Sequence, residues 1–540
     1  MTAPAAPDGG SPVAGIPGFW DFAAQERARP AVEHPGGSVT FGTLADRVNR
    51  CSNALLGRCG PGTTVAILAR NELDYLVVVL ACQQSGHQFT PINSHFAPPE
   101  VAYVLRDSGS VTLFVGAGMH ECAATAAELS GFESERIVAF APGGGWRAFD
   151  EWMAPYPTTA PTSREAGRPM LYTSGTSGRP KGVRLLSGRQ APEAALTRFA
   201  SLLGMFGIDP AQHLGAGVHL VTSPLYHTAP LNFALTALHL GHQVVVMDRF
   251  DAARSLELIA RHRVTWTHVV PTMMKRWLDH AREGGPDLDV RSLRWVIHGA
   301  APCPPSVKGA MLAWVGPVLY EYYASTEVGG TTIGPDEWLE HPGSVGRPWP
   351  GSAVQILDDT GHPVAPHTVG HVYLREARAF EYHNDPAKTS EAHRGDWVTV
   401  GDLGYLDDDG YLHIADRRTD LILSGGANVY PAEIEAVLVA HPDVADAGVI
   451  GVPHPELHQV PHAVVEPRQG ADRSDDLVER LLVHCRENLQ PASRPRTIEL
   501  SPVPRSAAGK VLRRELREAW RTRTATEGPA GDPDRAAATW

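Results

Sequence analysis

Short apolar runs alternate with helix-like stretches through much of this 540-residue chain. Thr64–Leu68, Val111–Val115 and Gln243–Met247 have the length and composition of buried strands, and Asp74–Gln84 and Ala252–His262 are predicted as helices. Strands separated by helices are typical of parallel sheets, because a parallel connection must cross over the sheet. The pattern predicts an α/β fold whose large N-terminal domain consists of helix-covered sheets.

The texture of the chain changes near residue 345. Short strands and turns then dominate, and Asp358–Gly361 and Asp407–Gly410 are hairpin signals. After Arg417 a new α+β pattern begins, with a strand at Asp420–Leu423, a double glycine at 425–426 and a helix from Pro431. We therefore predict a disordered N-terminus, an N-terminal domain that ends in a β-rich subdomain, a small α+β C-terminal domain and a disordered tail: residues 1–18, 19–417 (subdomain 346–417), 418–523 and 524–540.

Composition narrows the classes of function. The formal net charge of −13 argues against a dedicated nucleic-acid binder. No apolar run approaches the roughly 18 residues of a membrane span. The N-terminus lacks the features of a signal peptide, and the six scattered cysteines show neither metal spacing nor disulfide density. We expect a cytoplasmic protein without a membrane span or a nucleic-acid partner.

A hydroxyl-rich loop between Leu171 and Val183 is the first candidate site. Glycines let a backbone approach phosphate oxygens closely, and hydroxyls, free N–H groups and a lysine donate to them. The loop is not a Walker A motif, because Gly182 follows Lys181 where that motif needs a hydroxyl residue. From the loop alone, a flexible surface turn is an equally good interpretation.

Further patterns follow in order along the chain. In Tyr322–Glu327, a carboxylate beside two hydroxyls is suited to Mg²⁺ and phosphate, and an upstream aromatic ring could stack on a purine. Asp402 follows a glycine, as do aspartates that accept from ribose hydroxyls, although a turn aspartate is the commoner explanation. The segment Asp416–Glu435 joins a charged stretch, a strand, a double glycine and a helix. Lys510 stands on a small-residue loop from which it could reach a site formed elsewhere, or it is one more cation of a basic tail.

These patterns together resemble the adenylate-forming superfamily, which includes acyl- and aryl-CoA synthetases, adenylation domains of peptide synthetases and beetle luciferases. The resemblance covers about residues 20–520, and Pro224–His227, Val270–Thr272 and Gly299–Pro302 are similar to the fatty-acyl and aryl-CoA ligase branch. It implies an ATP- and Mg²⁺-dependent, AMP-forming acid–thiol ligase with coenzyme A as the co-substrate.

The resemblance also implies roles for individual residues. The β- and γ-phosphates of ATP would be held by Thr173, Ser174, Gly175, Thr176, Ser177, Gly178 and Lys181. The rest of the nucleotide would contact Gly299, Ala300, Ala301, Tyr323, Ala324, Ser325, Thr326, Asp402 and Arg417. Glu327 and Thr176 would bind the metal. The catalytic set would be Lys510, His227, Thr326 and Glu327. The acyl pocket and thiol tunnel would be lined by His227, Thr228, Ala324, Gly425 and Gly426.

The implied reaction has two halves. A carboxylate attacks the α-phosphate of ATP and releases pyrophosphate, and a thiol then attacks the acyl carbon. Between them the C-terminal domain is expected to rotate about a hinge at Arg418 and Thr419, which withdraws Lys510 and brings Gly425 and Gly426 to the tunnel.

Departures from the family pattern leave alternatives open. Ala324 replaces a usual glycine, so we expect a shorter or flatter acyl pocket. The acceptor could be an amine, a carrier-protein thiol or another nucleophile of secondary metabolism, and the substrate could be another oxyacid. A non-enzymatic nucleotide binder disagrees with the intact Lys181, Glu327, Asp402, Arg417 and Lys510. A homodimer is possible.

Overall fold

The computed structural model describes residues 18–173, 180–186, 188–195, 203–285, 288–375, 379–471, 473–506 and 509–527. The predicted disordered N-terminus lies outside these residues except for Gly18, which begins the first helix. At the other end a helix continues through Glu527, past the predicted start of the tail. Just before this extension, Arg523 forms an ion pair with Glu499, which ties the helix to the strand Thr497–Leu500.

Two sheets with long parallel sections form the N-terminal domain. In spatial order, the strands of the first sheet are Arg347–Pro348 (β16), Thr331–Ile333 (β15), Leu319–Tyr323 (β14), Trp295–His298 (β13), Trp266–Val269 (β12), Val218–Val221 (β10), Gln243–Val246 (β11), Pro30–His34 (β1) and Gly37–Thr40 (β2). Those of the second are Ala379–Tyr382 (β19), Lys181–Leu186 (β9), Arg168–Thr173 (β8), Gln88–Ile92 (β4), Thr64–Leu68 (β3), Thr112–Val115 (β5), Ile137–Ala139 (β6) and Arg147–Ala148 (β7). Strands β14 to β1 of the first sheet and β8 to β7 of the second run parallel.

Helices cover both sheets and separate them. In chain order they are Gly18–Gln25 (α1), Phe41–Arg58 (α2), Leu73–Ser85 (α3), Pro98–Ser108 (α4), His120–Ser130 (α5), Phe149–Met153 (α6), Pro210–His213 (α7), Thr228–His239 (α8), Ala252–His262 (α9), Pro271–Arg282 (α10), Pro305–Val315 (α11), Pro335–Glu340 (α12), Pro386–Ala392 (α13), Pro431–Ala440 (α14), Asp475–Asn488 (α15) and Arg513–Glu527 (α16). The largest core joins α2, α3 and α8 to strands of both sheets. Helices α4 and α5 pack on the far face of the second sheet, and α9 to α11 pack on the far face of the first.

Helix α3 shows how burial follows from sequence. It is apolar on nearly every side, and Tyr75 to Cys82 are all buried. A helix that is apolar all round belongs in a core or a membrane, and this run is too short to span a bilayer. Among the described residues, no helix is long and apolar enough to cross a membrane.

The β-rich subdomain and the C-terminal domain each have a sheet of their own. The subdomain sheet contains His393–Arg394 (β20), Trp397–Val398 (β21), Gly370–Arg375 (β18), Asp402–Leu406 (β22), Leu412–Arg417 (β23) and Ala353–Leu357 (β17). The C-terminal sheet contains Ala427–Val429 (β25), Ile422–Ser424 (β24), His458–Pro467 (β27), Val444–His454 (β26) and Thr497–Leu500 (β28). The predicted fold class, an α/β N-terminal domain with a β-rich subdomain and a smaller α+β domain, is confirmed.

Most of the predicted elements agree with the structure. The helix Ala252–His262 and the strand Thr64–Leu68 have the predicted bounds. The strand predicted from Asp420 begins instead at Ile422, because the N–H groups of Asp420 and Leu421 both donate to the carbonyl of Arg417 in a turn.

A buried ion pair joins helix α11 to strand β14. The Nζ of Lys308 donates to Oε2 of Glu321 at 2.6 Å, and both residues are buried. We predict that Lys308→Ala lowers the free energy of unfolding by about 3–5 kcal/mol, because it leaves the Glu321 carboxylate buried and unpaired. Urea denaturation measures the loss.

Arg254→Ala is the matched control, since the pair of Arg254 with Glu257 is half exposed and should contribute about 0–1 kcal/mol. The double replacement Lys308→Met with Glu321→Leu should recover most of the loss, because it removes both charges. Equal effects of Lys308→Ala and Arg254→Ala would contradict the prediction.

Candidate active site

A cleft of about 1620 Å³ lies where the N-terminal domain, the β-rich subdomain and the C-terminal domain meet. Most of the residues that the sequence singled out line it. They are Thr173, Lys181, His227, Thr228, Ala300, Ala301, Tyr323, Ala324, Ser325, Thr326, Glu327, Asp402, Arg417 and Lys510.

The turn that follows β14 presents two of the predicted side chains. The Ser325 hydroxyl accepts from the backbone N–H groups of Glu327 and Val328 at 3.2 and 3.1 Å, which closes the turn. The Thr326 Oγ1 lies 3.1 Å from that of Thr228, at the start of α8. The turn therefore brings Thr326 to the first residue of the helix that begins after His227, and Glu327 follows directly in the chain.

The Glu327 carboxylate lies beside Lys181. Its Oε1 accepts from the Tyr382 hydroxyl at 3.0 Å, and the Lys181 Nζ is 5.4 Å from the centroid of the same tyrosine ring. Desolvation, and next Lys388, lower the pKa of Lys181. Strand β9 thus begins with a cation close to a buried carboxylate, an arrangement suited to a metal–phosphate group.

Strand register places Asp402 opposite Arg417. The two residues are partners across β22 and β23, and the Arg417 Nε lies 3.4 Å from Asp402 Oδ1. The Tyr323 hydroxyl donates to Asp402 Oδ2 at 2.6 Å. Burial and then Asp402 raise the pKa of Tyr323 well above its usual value, so it remains a neutral donor. Arg417 is 45% exposed, so its guanidinium is available to a ligand.

Lys510 enters the cleft on a tight turn of the C-terminal domain. Arg505 donates to both oxygens of Asp446 at 2.6 and 2.7 Å and to the carbonyl of Gly509 at 2.6 Å, which fixes the turn. Gly509 has φ +76°, and a Cβ there would lie 2.9 Å from the Thr272 Oγ1. Only glycine permits this backbone conformation together with so close an approach to the N-terminal domain.

The charged groups that act on Lys510 all belong to the N-terminal domain, although the lysine itself belongs to the C-terminal domain. Its side chain is exposed to the water of the cleft, yet protein groups surround it. Desolvation and then Arg417 lower its pKa to about 8, against the opposing effect of Asp402 and Glu327. Lys510 is therefore a cation below pH 8, positioned among the residues predicted to hold the nucleotide.

His227 is the N-cap residue of α8, and among the described residues its Nε2 has no hydrogen-bond partner. Burial, followed by Lys510 and His95, lowers its pKa to about 4. The imidazole is thus neutral at physiological pH.

The Gly299–Ala301 segment follows β13. A Cβ at Gly299 would lie 2.7 Å from the carbonyl oxygen of Tyr322, so glycine is required for β13 to lie this close to β14. Ala300 has φ +69°, a left-handed conformation that is unusual for a residue with a side chain. This bend leads the chain along the edge of the cleft, where Ala300 and Ala301 line it.

Other predicted residues lie elsewhere. Ser174, Gly175, Thr176, Ser177 and Gly178 fall outside the described residues, but Thr173 and Lys181 pair across β8 and β9, so the segment joins two antiparallel strands. Gly425 and Gly426 form the turn between β24 and β25 and are not among the residues that line the cleft. Arg418 donates its N–H to the Gly401 carbonyl at 2.9 Å, and Thr419 is exposed in the same turn.

The sequence did not predict two contacts in or near the candidate site. Tyr382 has no motif around it and reaches Glu327 only because β19 pairs with β9. Asp416 accepts from the N–H of Ala432 at 2.9 Å, which ties the last strand of the subdomain to the start of α14. An acidic residue just before the hinge was a usable signal for the second contact.

Comparisons with known proteins identify the family of this chain. The model of the family described as AMP-binding enzyme matches residues 19–381, and that of the AMP-binding enzyme C-terminal domain matches residues 433–510. The chain belongs to the AMP-binding enzyme family. It is therefore a member of the adenylate-forming superfamily, and it is similar to acyl- and aryl-CoA synthetases.

Individual relatives of this AMP-binding enzyme match over most of their length. The fatty acid–[acyl-carrier-protein] ligase ScoC of Streptomyces coeruleorubidus is 32% identical, over 92% of this chain and 94% of that protein. The feruloyl-CoA synthase of an Amycolatopsis species is 33% identical, over 90% and 95%. The structure of the anthranilate CoA ligase AuaEII, in complex with anthranoyl-AMP, has a TM-score of 0.81 at 25% identity and covers 93% of this chain and 97% of that one.

We predict that Asp402→Asn raises the Kd for AMP about 10- to 100-fold, because it removes a charged hydrogen-bond acceptor. Isothermal titration calorimetry measures this change. Asp408→Asn is the control, since Asp408 lies in the turn between the same two strands and is 82% exposed. The prediction is wrong if the two variants bind AMP equally well.

Proposed function

We propose that this protein is an AMP-forming ligase that activates a carboxylic acid with ATP and transfers the acyl group to the thiol of coenzyme A. The observation that carries the proposal is the position of Lys510 in the cleft. There its pKa is affected by the charges of Glu327, Asp402 and Arg417. A ligand held by Asp402 and Arg417 at one end and by Lys181 at the other would present its middle to Lys510. ATP has the matching form, with a ribose at one end and phosphates at the other.

In the first half-reaction a carboxylate oxygen attacks the α-phosphorus of ATP. A new oxygen–phosphorus bond forms, the bond to the β-phosphate bridging oxygen breaks, and pyrophosphate leaves. Negative charge grows on the α-phosphate oxygens, and Lys510 is placed to stabilise it together with the Thr326 hydroxyl. Lys181, which lines the cleft, would hold the departing pyrophosphate.

The residues present fit a magnesium ion. Glu327 is a buried carboxylate that would supply an oxygen ligand near the proposed phosphate position, and Mg²⁺ commonly takes one or two carboxylates together with substrate phosphates. Among the described residues there is no group of three or more histidine, cysteine or acidic residues that could hold a metal without such a substrate. When bound, Mg²⁺ would neutralise phosphate charge.

In the second half-reaction a thiol attacks the acyl carbon and AMP leaves. The neutral His227 imidazole lies at the start of α8, where it could border the acyl carbonyl. Lys510 lines the cleft and Gly425 and Gly426 do not, which supports a conformation suited to the first half-reaction. Rotation about Arg418 and Thr419 would exchange them for the second.

The acceptor has a specific alternative. ScoC is named for transfer to an acyl-carrier protein, so a carrier-protein thiol in place of coenzyme A is the second candidate. Mass spectrometry with and without coenzyme A separates the two, because only transfer to coenzyme A gives a small-molecule thioester.

A cytoplasmic location and a homodimer are further parts of the proposal. The six free cysteines suit a reducing compartment.

We predict that Lys510→Ala abolishes acid-dependent pyrophosphate release but largely preserves thioester formation from preformed acyl-adenylate, because the lysine acts only on the first step. The two half-reactions are measured separately. Arg514→Ala, at an exposed cation four residues further on, should leave both rates unchanged. Equal loss of both steps in Lys510→Ala would contradict the division of labour.

We also predict a fall in kcat/KM for ATP as the pH rises through about 8. Lys510 must be protonated to stabilise phosphate charge, and its lowered pKa in the free enzyme sets this limit. Below that pH the lysine is charged and its contribution is complete. In Lys510→Arg the fall should move to higher pH, and an unchanged pH profile would show that another group titrates.

A further inference from the structure

The cleft continues from His227 along helix α8. Phe233 lies six residues beyond His227, which is about 9 Å along the helix axis. A carboxylate held beside His227 would therefore place the first ring or the first methylenes of its acid between these two residues. The cleft continues beyond Phe233 to Leu235 and Gln83, so its length does not restrict which acid binds. The side chains that form the cleft wall between His227 and Phe233 therefore determine the choice of acid.

Aromatic rings dominate the wall. Phe206, Phe233 and Tyr322 line the cleft, with ring centroids 6.1–6.4 Å apart and interplanar angles of 62–72°. The His268 ring stacks on Phe233 at 5.2 Å. Edge-to-face groups of this kind offer favourable contacts to a further aromatic ring.

One hydrogen-bonded pair gives this wall a polar character. The His268 Nε2 and the Tyr322 hydroxyl are 3.0 Å apart, and both residues line the cleft. Burial lowers the pKa of His268 to about 3 and raises the pKa of Tyr322 above its usual value, so both side chains are neutral. The His268 Nδ1 has no hydrogen-bond partner in the part of the chain that the structure describes.

The His268–Tyr322 pair lacks an acceptor for one of its two protons. A neutral histidine carries one N–H and a tyrosine one O–H, and their mutual bond uses one of these two protons. If the tyrosine donates, the Nδ1–H is left over; if the histidine donates, the tyrosine O–H is left over. In either tautomer one buried donor needs an acceptor, and leaving it unpaired costs stability.

We propose that the acid is aromatic and carries a hydrogen-bonding oxygen on its ring, which the His268–Tyr322 pair recognises. The inference rests on the proposed function, since it concerns the acid that the same cleft activates. His268 and Tyr322 are specificity-determining residues in this proposal, while the aromatic wall holds the ring.

A panel of acids tests the proposal with the full-length protein. Pyrophosphate release is measured with ATP and Mg²⁺ for benzoate, the three monohydroxybenzoates and octanoate. We expect kcat/KM for at least one hydroxybenzoate to exceed that for benzoate and octanoate by about three- to tenfold. A preference for octanoate, or a hydroxybenzoate series no better than benzoate, would overturn the proposal.

The double variant His268→Leu with Tyr322→Phe assigns the preference to the pair. It removes both partners and so leaves no unpaired buried group. The ratio of kcat/KM for the best hydroxybenzoate to that for benzoate should fall to about one, and an unaltered ratio would contradict the role. Tyr320→Phe is the control, because Tyr320 lies on the same strand and does not line the cleft. If the double variant does not fold, the ratio is measured in Tyr322→Phe, where it must also fall.

The two proposals fail differently. Release of pyrophosphate with aliphatic acids alone overturns this inference and leaves the ligase function standing. A protein that binds no AMP and releases no pyrophosphate with any carboxylic acid is not such a ligase, and both proposals then fall.

Discussion

The site depends on the contact between the turn at Gly509 and the segment Val270–Thr272. Lys510 belongs to the C-terminal domain, and this contact places it among carboxylates and an arginine that belong to the N-terminal domain. The approach is possible because Gly509 lacks a Cβ and because Arg505 holds the turn against Asp446. Asp416 and Ala432 add a polar contact between the two domains close to the predicted hinge.

The carboxylates of the cleft are hydrogen-bonded in a way that leaves the nearby cations available to a ligand. Glu327 and Asp402 each accept a hydrogen bond from a tyrosine hydroxyl, of Tyr382 and Tyr323 respectively. A neutral donor satisfies part of a buried carboxylate without adding a charge, so nearby cations are less committed to ion pairs inside the protein. An anionic ligand would pair with these cations, and a nucleoside triphosphate is such a ligand.

Local sequence predicted the elements and the motifs well where the signal was local. The helix Ala252–His262 begins after Asp251, whose side chain caps it, and both ends lie where the sequence placed them. Asp402 lies opposite Arg417 because the two strands form a hairpin, and the sequence predicts the turn of this hairpin at Asp407–Gly410. Tyr382 and the His268–Tyr322 pair were not predictable, because each depends on strands far apart in the chain that pair or lie side by side only in the folded sheet.

The sequence by itself determined the α/β architecture, the order of the motifs and the residue types that can hold a nucleotide, because strand composition, helix signals and turn residues act over short distances. Only the tertiary structure decided that Lys510 lies in the cleft while Gly425 and Gly426 lie outside it, since that is a matter of how two domains dock. It also decided that a histidine and a tyrosine on strands β12 and β14 share one hydrogen bond beside the cleft. Such contacts arise from sheet order and side-chain packing, which no local pattern encodes.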